Sequence, residues 1–338
     1  GELEYDYLVL AIGTETNFFG NEKMASLAIP MKSVSEALYL RNRILNDYER
    51  ALTELDFDKR QGYLDIVVVG GGPTGVEVSG SLAEMRKYIA PKDYPELNRN
   101  EIDVYLIEGG PALLGGMSAQ SSKKAQQFLE ELGVKVKLNT LVTDYDGEWV
   151  HMNDGTSIRA NKVIWAAGVR GSKMDGLTKE MMGPANRIKV NRHNQIEAFP
   201  NIFAIGDIAY MTEEKYPKGH PQVAQVALQQ AKTLGINLKR ILKGRALEEF
   251  SYKDKGSMAT IGRNLAVVDL PFIRFQGAFA WFIWMFVHLF TLLGVKNKVF
   301  VFINWVWNYF TYDQSLRLII KPRVPREELV KDAIVQGG

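Results

Sequence analysis

The strongest pattern of apolar and polar positions lies in the stretch that ends at Glu108. The apolar run Ile66–Val69 is followed by a turn, residues 70–75, with the sequence Gly-Gly-Gly-Pro-Thr-Gly. Helical periodicity continues over residues 76–88, and a second apolar run, 102–107, leads into Glu108. This order of strand, GxGxxG turn, helix, strand and acid predicts a dinucleotide-binding βαβ unit. An ordinary glycine turn in a parallel sheet is the alternative, but such a turn rarely carries the whole pattern.

Each glycine of the turn has a separate physical role in this interpretation. Gly70 allows the tight turn, Gly72 lets the backbone approach a pyrophosphate, and Gly75 lets the helix pack closely on the strand. The first free N–H groups of the helix then favour the phosphate charge. Glu108 lies farther along the chain than the usual ~20 residues, and we attribute the excess to an insertion, the polar segment 91–100.

The rest of the chain alternates between strand and helix patterns. Strands are predicted over 7–11, 134–138, 162–168, 202–205 and parts of 250–270, with a hairpin around the turn Asn153-Asp154-Gly155. Helices are predicted over 33–55, capped by Ser33 or Ser35 with Glu36 in the first turn, over 118–132, ended by Gly133, and over 222–242, opened by Pro221.

The region 272–310 changes character and is rich in Phe, Trp, Val and Leu. Its two apolar segments, 277–293 and 299–310, are shorter than the ~20 residues of a membrane span. Each carries a narrow polar stripe at helical spacing, and five cations surround the pair, namely Lys296, Lys298, Arg317, Lys321 and Arg323. We expect two interfacial helices on a bilayer surface. A transmembrane hairpin and a helical dimer interface are the alternatives.

Composition narrows the function classes. The 338 residues are enough for two domains, and the net charge of +2 implies no nucleic-acid partner. The absence of cysteine excludes disulfides, thiolate metal sites and a redox-active cysteine pair within this stretch. The four histidines have no metal-ligand spacing, so no metal site is predicted.

Several short motifs together resemble one family. They are Leu-Ala-Ile-Gly-Thr at 10–14, the turn and helix start at 70–77, Val-Ile-Trp-Ala-Ala-Gly-Val at 163–169, Ile-Gly-Asp at 205–207, Ala-Gln-Val-Ala-Leu-Gln-Gln at 224–230 and Asn-Trp-Val-Trp-Asn-Tyr at 304–309. The chain resembles the type II NADH:quinone oxidoreductases, within the two-dinucleotide-binding flavoproteins. The first four motifs are common to that superfamily, and the last two are typical of its quinone-reducing branch.

The resemblance implies an α/β fold in which an NADH-binding Rossmann-like domain is inserted in a partial FAD-binding Rossmann-like domain. A C-terminal amphipathic helical region that anchors the protein to the membrane would follow. Residues 1–60 would be the remainder of a first FAD-domain segment with a connecting helix, and residues 61–170 would be the NADH domain. Residues 171–247 would return to the FAD domain, and residues 248–338 would form a small β segment with membrane-associated helices.

The resemblance also implies two cofactors, NADH and FAD. Gly70, Gly72 and Gly75 would hold the NADH pyrophosphate, and Glu108 would accept hydrogen bonds from the adenosine ribose. A carboxylate there repels a 2′-phosphate, and no arginine follows it, so NADH is favoured over NADPH. A solvated acid at a strand end is the alternative interpretation of Glu108.

On the flavin side, Asp207 would bind the ribitol and Gly206 would allow its close approach. Gly13 with Thr14, and Ala167 with Gly168, would lie at the crossovers between the nucleotide domains, and Ala224 would contact the flavin ring.

The resemblance places Glu77, Gln225 and Gln229 nearest the chemistry. Glu77 would lie near the nicotinamide and flavin, although a carboxylate in a first helical turn is also favoured by the helix dipole alone. Gln225 and Gln229 are four residues apart and share a helix face. As neutral amides they suit quinone carbonyls. A solvated polar face is the alternative.

The implied function is NADH oxidation through FAD, with two electrons passed to a membrane quinone and no proton pumping. The implied location is peripheral (monotopic), on the cytoplasmic face of a bacterial inner membrane. Residues 272–321 would contact the lipid surface there. A homodimer through the same residues is also consistent with the resemblance. The rivals are a soluble NADH-dependent flavoprotein reductase of the ferredoxin reductase or NADH oxidase type, a disulfide reductase, and an inactive NAD-binding membrane-attached remnant. The missing cysteine pair opposes the thioredoxin-reductase type of disulfide reductase.

One departure from the family pattern concerns FAD. The family begins with a strand, a GxGxxG turn and a helix that bind FAD, and the only such turn in this sequence is the one at 70–75. We therefore expect that residue 1 falls late in the first FAD segment and that the sequence is an N-terminally truncated fragment of a longer enzyme.

Overall fold

The computed structural model describes residues 2–292 and 294–311 of the chain. The predicted cations Arg317, Lys321 and Arg323 lie outside the described residues. The helices are α1 (Glu22–Leu27), α2 (Val34–Ala51), α3 (Phe57–Leu64), α4 (Pro73–Glu84), α5 (Ala90–Asp93), α6 (Ala119–Glu131), α7 (Ala224–Ile241), α8 (Ala278–Thr291) and α9 (Val295–Thr311).

The strands number eighteen within the described residues. They are β1 (Leu8–Leu10), β2 (Thr14–Thr16), β3 (Ile29–Pro30), β4 (Ile66–Val69), β5 (Val104–Ile107), β6 (Val134–Lys137), β7 (Val142–Tyr145), β8 (Trp149–Met152), β9 (Ser157–Arg159), β10 (Val163–Trp165), β11 (Val169–Gly171), β12 (Ile188–Lys189), β13 (Gln195–Ile196), β14 (Phe199–Ala204), β15 (Ala209–Tyr210), β16 (Ser257–Gly262), β17 (Leu265–Asp269) and β18 (Arg274–Gln276).

The central sheet is a parallel sheet of five strands in the order β3-β10-β4-β5-β6. All four residues of β4 are buried, as expected for a strand covered on both faces. The helices α2, α4 and α6 contribute to the core on one face, and the antiparallel meander β7-β8-β9 contributes to the core on the other. The predicted hairpin is therefore present as β8 and β9, and its turn contains Gly155 at φ +80°.

A second, smaller unit contains the three-stranded sheet β1-β14-β13, in which β1 and β14 are parallel. Two antiparallel strands, β2 and β11, connect it to the central sheet. A third sheet, β16-β17-β18, packs directly on α4, and α8 covers β17. An added Cβ at Gly80 of α4 would lie 1.6 Å from the carbonyl oxygen of Ile261 in β16, so only glycine permits this approach.

Local sequence signals place several helix ends correctly. Of the two predicted cap residues, Ser33 caps α2, and it forms a capping box with Glu36; Ser118 caps α6. The predicted helix 33–55 is shorter than expected, since α2 ends at Ala51 and Asp56 caps a new helix, α3. Helix α4 begins at Pro73, three residues before the predicted start, and passes into a π-helical turn at Met85–Ile89.

The prediction that Pro221 opens a helix at Gln222 is wrong. Helix α7 begins at Ala224, because Val223 is extended and the Gln222 side chain donates to the carbonyl of Asp207 at 3.1 Å. The strand expected from Phe250 also begins later, at Ser257. The Phe250 N–H donates instead to the Arg192 carbonyl at 2.8 Å, and side chains of α7 hold residues 253–256.

The aromatic region forms two helices, as predicted, but the second starts earlier. Helix α9 begins at Val295 rather than Val299 and so includes Lys296 and Lys298. Gly294, at φ +82°, turns the chain between the helices and accepts a hydrogen bond from the Lys298 N–H. Among the described residues, no helix combines the length and the apolar character that crossing a bilayer requires.

Candidate functional site

The Glu108 carboxylate is fixed at the end of β5 by two backbone donors. Its Oε2 accepts from the Gly71 N–H at 2.5 Å, and its Oε1 accepts from the Gly110 N–H at 2.6 Å. A carboxylate has about four acceptor positions, so each oxygen can accept a further hydrogen bond. The carboxylate is therefore oriented in advance and can still accept hydrogen bonds from two hydroxyl groups of a ligand.

The glycines of the turn differ in what surrounds them. An added Cβ at Gly75 would lie 1.8 Å from the Gly70 carbonyl oxygen, and one at Gly70 would lie 2.6 Å from the Ala166 backbone. A Cβ at Gly72 would meet nothing within 4 Å. Gly70 and Gly75 are thus required for packing, while the open space at Gly72 lies at the start of α4, where a phosphate is favoured.

A cleft of about 450 Å³ lies at the carboxyl ends of the parallel strands, and Gly72 and Gly75 are not among the residues that line it. Of the predicted residues, Gly70, Glu108 and Ala167 share its wall. Phe18 and Phe19, which the sequence analysis left in an unassigned loop, also line it. Gly168 lies next to Ala167 at the end of β10 and accepts a hydrogen bond from the Asn17 N–H at 3.0 Å.

Gly13 and Thr14 lie at the crossover between the two units. Gly13 has φ +68°, and its carbonyl accepts from the Ser172 N–H at 3.2 Å. Thr14 is buried in β2, and its Oγ1 accepts a hydrogen bond from the Lys32 Nζ. The crossover is therefore held by backbone and side-chain bonds from both of its strands.

A second group of predicted residues meets at the start of α7. Gly206, at φ +74°, donates its N–H to the Oε1 of the buried Gln230 at 2.7 Å. An added Cβ at Gly206 would lie 3.3 Å from the Cβ of Ala227, so the turn and the helix are in close contact. Within the described residues, no hydrogen bond holds the carboxylate of the adjacent Asp207. Sequence reasoning missed the role of Gln230, because only the fold brings it to Gly206.

This arrangement fits the sugar-alcohol and ring end of a flavin. Asp207 has a carboxylate ready to accept hydroxyl donors, and no side chain caps the first turn of α7 at Ala224. Its free N–H groups and positive dipole end suit a ring oxygen that carries negative charge. The sequence has no second GxGxxG turn for the pyrophosphate of FAD. These residues are therefore compatible with FAD at its flavin end only.

Gln225 and Gln229 lie on one face of α7, as their spacing predicts, and both hold the segment that leads into β16. The Gln225 amide donates to the Gly256 carbonyl at 3.0 Å and accepts from the Lys255 N–H at 3.1 Å. The Gln229 amide donates to the Lys253 carbonyl at 2.9 Å and accepts from its N–H at 3.0 Å. Both amides thus bind backbone in this structure, and their hydrogen bonds occupy backbone groups of residues 253–256 that a strand would use for pairing.

Glu77 lies apart from both groups, on the face of α4 that packs on the third sheet. Its Oε1 accepts from the Thr260 N–H at 3.4 Å. Burial raises the pKa of Glu77, against the opposing effects of the Thr260 hydrogen bond and the charge of His288. A carboxyl group with a raised pKa in a partly enclosed site can hold a proton.

Glu77 opens onto a cavity of about 290 Å³ between α4, β16 and the two aromatic helices. A second cavity of about 400 Å³, lined by apolar side chains, lies between α8 and α9. Four residues line both cavities, namely Trp281, Met285, Trp305 and Tyr309. The apolar cavity between α8 and α9 is therefore adjacent to the cavity that contains the Glu77 carboxylate.

Arg263 joins three elements beside this cavity, and the sequence analysis missed it. Its backbone N–H donates to the Glu84 Oε1 at 2.6 Å. Its guanidinium donates to the carbonyls of Asn308 and Tyr309 at 2.9 and 2.8 Å, in the last turns of α9. A cation at this end of a helix is favoured by the dipole. The one sequence signal for Arg263 is its place in a hairpin turn, directly before Asn264, which has φ +61°.

Comparison with known sequences identifies relatives over most of the chain. Residues 1–231 match the pyridine nucleotide-disulphide oxidoreductase family, and residues 255–312 match the NDH2 C-terminal domain. The type II NADH:quinone oxidoreductase Ndh of Mycobacterium tuberculosis is 36% identical over 318 residues, which cover 91% of this chain and 67% of that protein. The type II NADH:quinone oxidoreductase of Haemophilus influenzae is 31% identical and is covered to 67%. The chain thus spans about two thirds of the length of these relatives.

Solved structures show the same fold. NDH2 from Plasmodium falciparum, in complex with NADH, superposes with a TM-score of 0.84 at 24% identity, over 94% of this chain and 80% of that one. A ferredoxin reductase from Rhodopseudomonas palustris superposes less closely, with a TM-score of 0.56 at 19% identity, over 79% of this chain and 59% of that one.

Proposed function

Because the chain belongs to the type II NADH:quinone oxidoreductases, flavoproteins of the pyridine nucleotide-disulphide oxidoreductase family, we propose that it oxidises NADH and reduces a membrane quinone without pumping protons. The observation that carries the proposal is the position of α4 between two sites. The turn that leads into α4 lines the nucleotide cleft through Gly70, and Glu77 on the side of α4 lines the cavity next to the apolar cavity between α8 and α9.

We propose separate roles for the residues in and beside the nucleotide cleft. Glu108 accepts the ribose hydroxyls and repels a 2′-phosphate, and the space at Gly72 accommodates the pyrophosphate. Ala167 and Gly168 support the dinucleotide from the neighbouring strand. FAD, when bound, accepts a hydride equivalent from NADH and supplies two electrons to the acceptor. Asp207, Gly206 and the start of α7 orient it, so the protein contributes chiefly positioning.

The quinone site in this proposal is the cavity beside Glu77, whose lining shares no residue with the nucleotide cleft. The apolar cavity between α8 and α9 admits the apolar molecule, and the Glu77 carboxyl, whose pKa is raised by burial, faces the adjoining cavity, where the quinone oxygens would lie. Gln225 and Gln229 support the wall of this site indirectly. They hold the segment 253–256, which leads into β16, and Thr260 and Ile261 of β16 line the cavity beside Glu77. Neither aromatic helix contains Asp or Glu, and the two lysines lie in the first turn of α9, so the helices provide no carboxylate path for ion transport.

The aromatic helices also support a location at the membrane surface. No residue of α9 is buried, and the exposed fractions of Phe286, Phe290 and Phe310 are 57%, 59% and 78%. Monomeric soluble proteins rarely expose so continuous an apolar face. We propose that these helices lie in one leaflet, with Lys296 and Lys298 at the headgroups, on the cytoplasmic face of a bacterial inner membrane. A homodimer through the same face is the second candidate.

In domain terms, we propose the same division as the sequence analysis. Residues 61–170 form the NADH domain, the flanking segments 1–60 and 171–247 belong to the FAD domain, and residues from 248 onward form the quinone and membrane region.

We expect the purified protein, supplied with FAD, to show a visible flavin band that NADH bleaches under anaerobic conditions. Addition of a short-chain quinone should restore the band. A band that NADH does not bleach would contradict the NADH site, and a bleached band that no quinone restores would contradict the acceptor assignment. Bleaching by NADPH as efficient as by NADH would contradict the proposed role of Glu108.

Replacing Gln225 by alanine should slow quinone reduction and leave the reduction of a soluble dye by NADH largely intact. Two hydrogen bonds to Lys255 and Gly256 are lost, at about 1 kcal/mol each. A total of about 2 kcal/mol corresponds to a loss of at most roughly 30-fold in quinone turnover. Gln127→Ala, an exposed glutamine on α6, is the matched control. Equal quinone turnover in the two variants would show that Gln225 is not part of the quinone wall.

A further inference from the structure

The loop between β2 and α1, residues 17–21, lies along one side of the nucleotide cleft and is held from several directions. The Asn17 N–H donates to the Gly168 carbonyl at 3.0 Å, and the Trp165 indole donates to the Asn17 carbonyl at 2.8 Å. The Asn21 N–H closes the loop on the Phe18 carbonyl at 3.0 Å. The loop is therefore anchored to the end of β10, one of the strands that form the cleft.

Two adjacent aromatic residues of this loop have opposite environments. The Phe18 ring stacks on Trp165, with centroids 5.6 Å apart and an interplanar angle of 27°. Phe19 is 68% exposed and has φ +53°, a left-handed backbone conformation that bulky residues rarely adopt. Its N–H donates to the Asn17 Oδ1 at 2.8 Å, which stabilises that conformation. The loop thus packs one half-buried ring against the core and leaves the next ring exposed.

The exposed ring stands at the cleft and not on an unrelated surface. Phe19 lines the same cavity as Gly70 and Glu108. An added Cβ on Gly168 would lie 3.4 Å from the Phe19 Cζ, so the ring tip lies close above the turn at the end of β10. Strained residues persist where the surroundings over-determine them, and they cluster at ligand sites. An exposed aromatic ring offers a flat face to a planar base.

We propose that Phe19 is a base-stacking residue that sets the affinity of the cleft for a nicotinamide dinucleotide. The inference rests on the proposed function, since it takes the cleft as the NADH site. Phe19 binds no phosphate or ribose in this assignment. It contributes the contact with a base ring that the glycine turn and Glu108 do not supply.

The substitution Phe19→Gly separates a binding role from a structural one. Glycine adopts positive φ without strain, so the melting temperature should stay the same or rise. Binding of NAD⁺, measured by calorimetry to avoid electron transfer, should weaken by roughly tenfold, the effect of losing one base–aromatic stack. Phe19→Tyr keeps the ring and should bind NAD⁺ within about twofold of the unmodified protein. Phe57→Ala removes a similarly exposed ring (65%) outside the cleft and is the matched control.

Titration with ADP-ribose, which lacks nicotinamide, identifies the base. If Phe19→Gly weakens both ligands, the ring stacks on adenine, and if it weakens NAD⁺ alone, the ring stacks on nicotinamide. Unchanged affinity for both ligands in Phe19→Gly would overturn the proposal. It would also be overturned if Phe19→Gly lowered the melting temperature and Phe19→Tyr lost as much affinity for NAD⁺ as Phe19→Gly, because the effect would then be structural. Failure of the unmodified protein to bind either ligand would instead contradict the proposed function.

Discussion

Replacing Glu108 by arginine is expected to weaken NADH binding by about 100-fold or more. The substitution removes the acceptor for the ribose hydroxyls and the two carboxylate hydrogen bonds to Gly71 and Gly110. Hydrogen bonds to charged groups contribute about 1.5–3 kcal/mol each, so the loss of two hydrogen bonds from the ribose hydroxyls to the carboxylate accounts for the expected loss in affinity. The glycine turn itself would also relax, because Glu108 holds its second residue. Titration with NADH and NADPH, with binding followed by fluorescence, measures the effect.

The same titrations, with a second variant, separate the effect of the Glu108 charge from the effect of its side-chain shape. Glu108→Gln keeps an oxygen acceptor, so it should weaken NADH less than the arginine variant. A cation in place of the carboxylate favours a 2′-phosphate, so Glu108→Arg should also narrow the preference for NADH over NADPH. The control is Glu49→Arg, which makes the same change of charge at an exposed residue of α2. Equal affinities in Glu108→Arg and Glu49→Arg would remove Glu108 from the nucleotide site.

Replacing Gly80 by alanine is expected to destabilise the protein by about 3 kcal/mol or more and to impair quinone reduction. The new Cβ would lie 1.6 Å from the Ile261 carbonyl oxygen and 2.7 Å from its carbon, and both are backbone atoms that cannot rotate away. Overpacking usually costs about 1–3 kcal/mol, and this contact is at the severe end. Separation of α4 from β16 would also move Glu77 away from Thr260. Denaturant midpoints and parallel dye and quinone assays measure both effects.

Helix α7 contains a matched control for this substitution. Gly235→Ala adds the same methyl group inside a helix, but there the Cβ meets nothing within 4 Å. It should stabilise the protein by about 0.5–1 kcal/mol, because alanine loses less backbone freedom on folding. If Gly80→Ala and Gly235→Ala have similar midpoints, the close contact between α4 and β16 does not exist in solution.

Local signals predicted the elements whose stability is decided within a few residues. The capping box of Ser33 and Glu36 and the cap at Ser118 are examples, because the cap and its backbone partner lie three residues apart. The early start of α4 at Pro73 could also have been predicted, since proline suits the first helical position. The same rule was misleading at Pro221, where the contact of Gln222 with the distant Asp207 decided the outcome.

The stretch that ends at Glu108 determined by itself that the chain binds a dinucleotide, because strand, glycine turn, helix and acid are neighbours in sequence as well as in space. The motifs along the chain likewise determined the family. Only the tertiary structure decided what the other side chains face. It directs Gln225 and Gln229 to the backbone of 253–256 and Glu77 to the aromatic helices, and it holds Phe19 out at the cleft. These contacts join residues far apart in sequence, so the shape and hydrogen-bonding capacity of the folded surfaces decide them, and no local periodicity encodes that information.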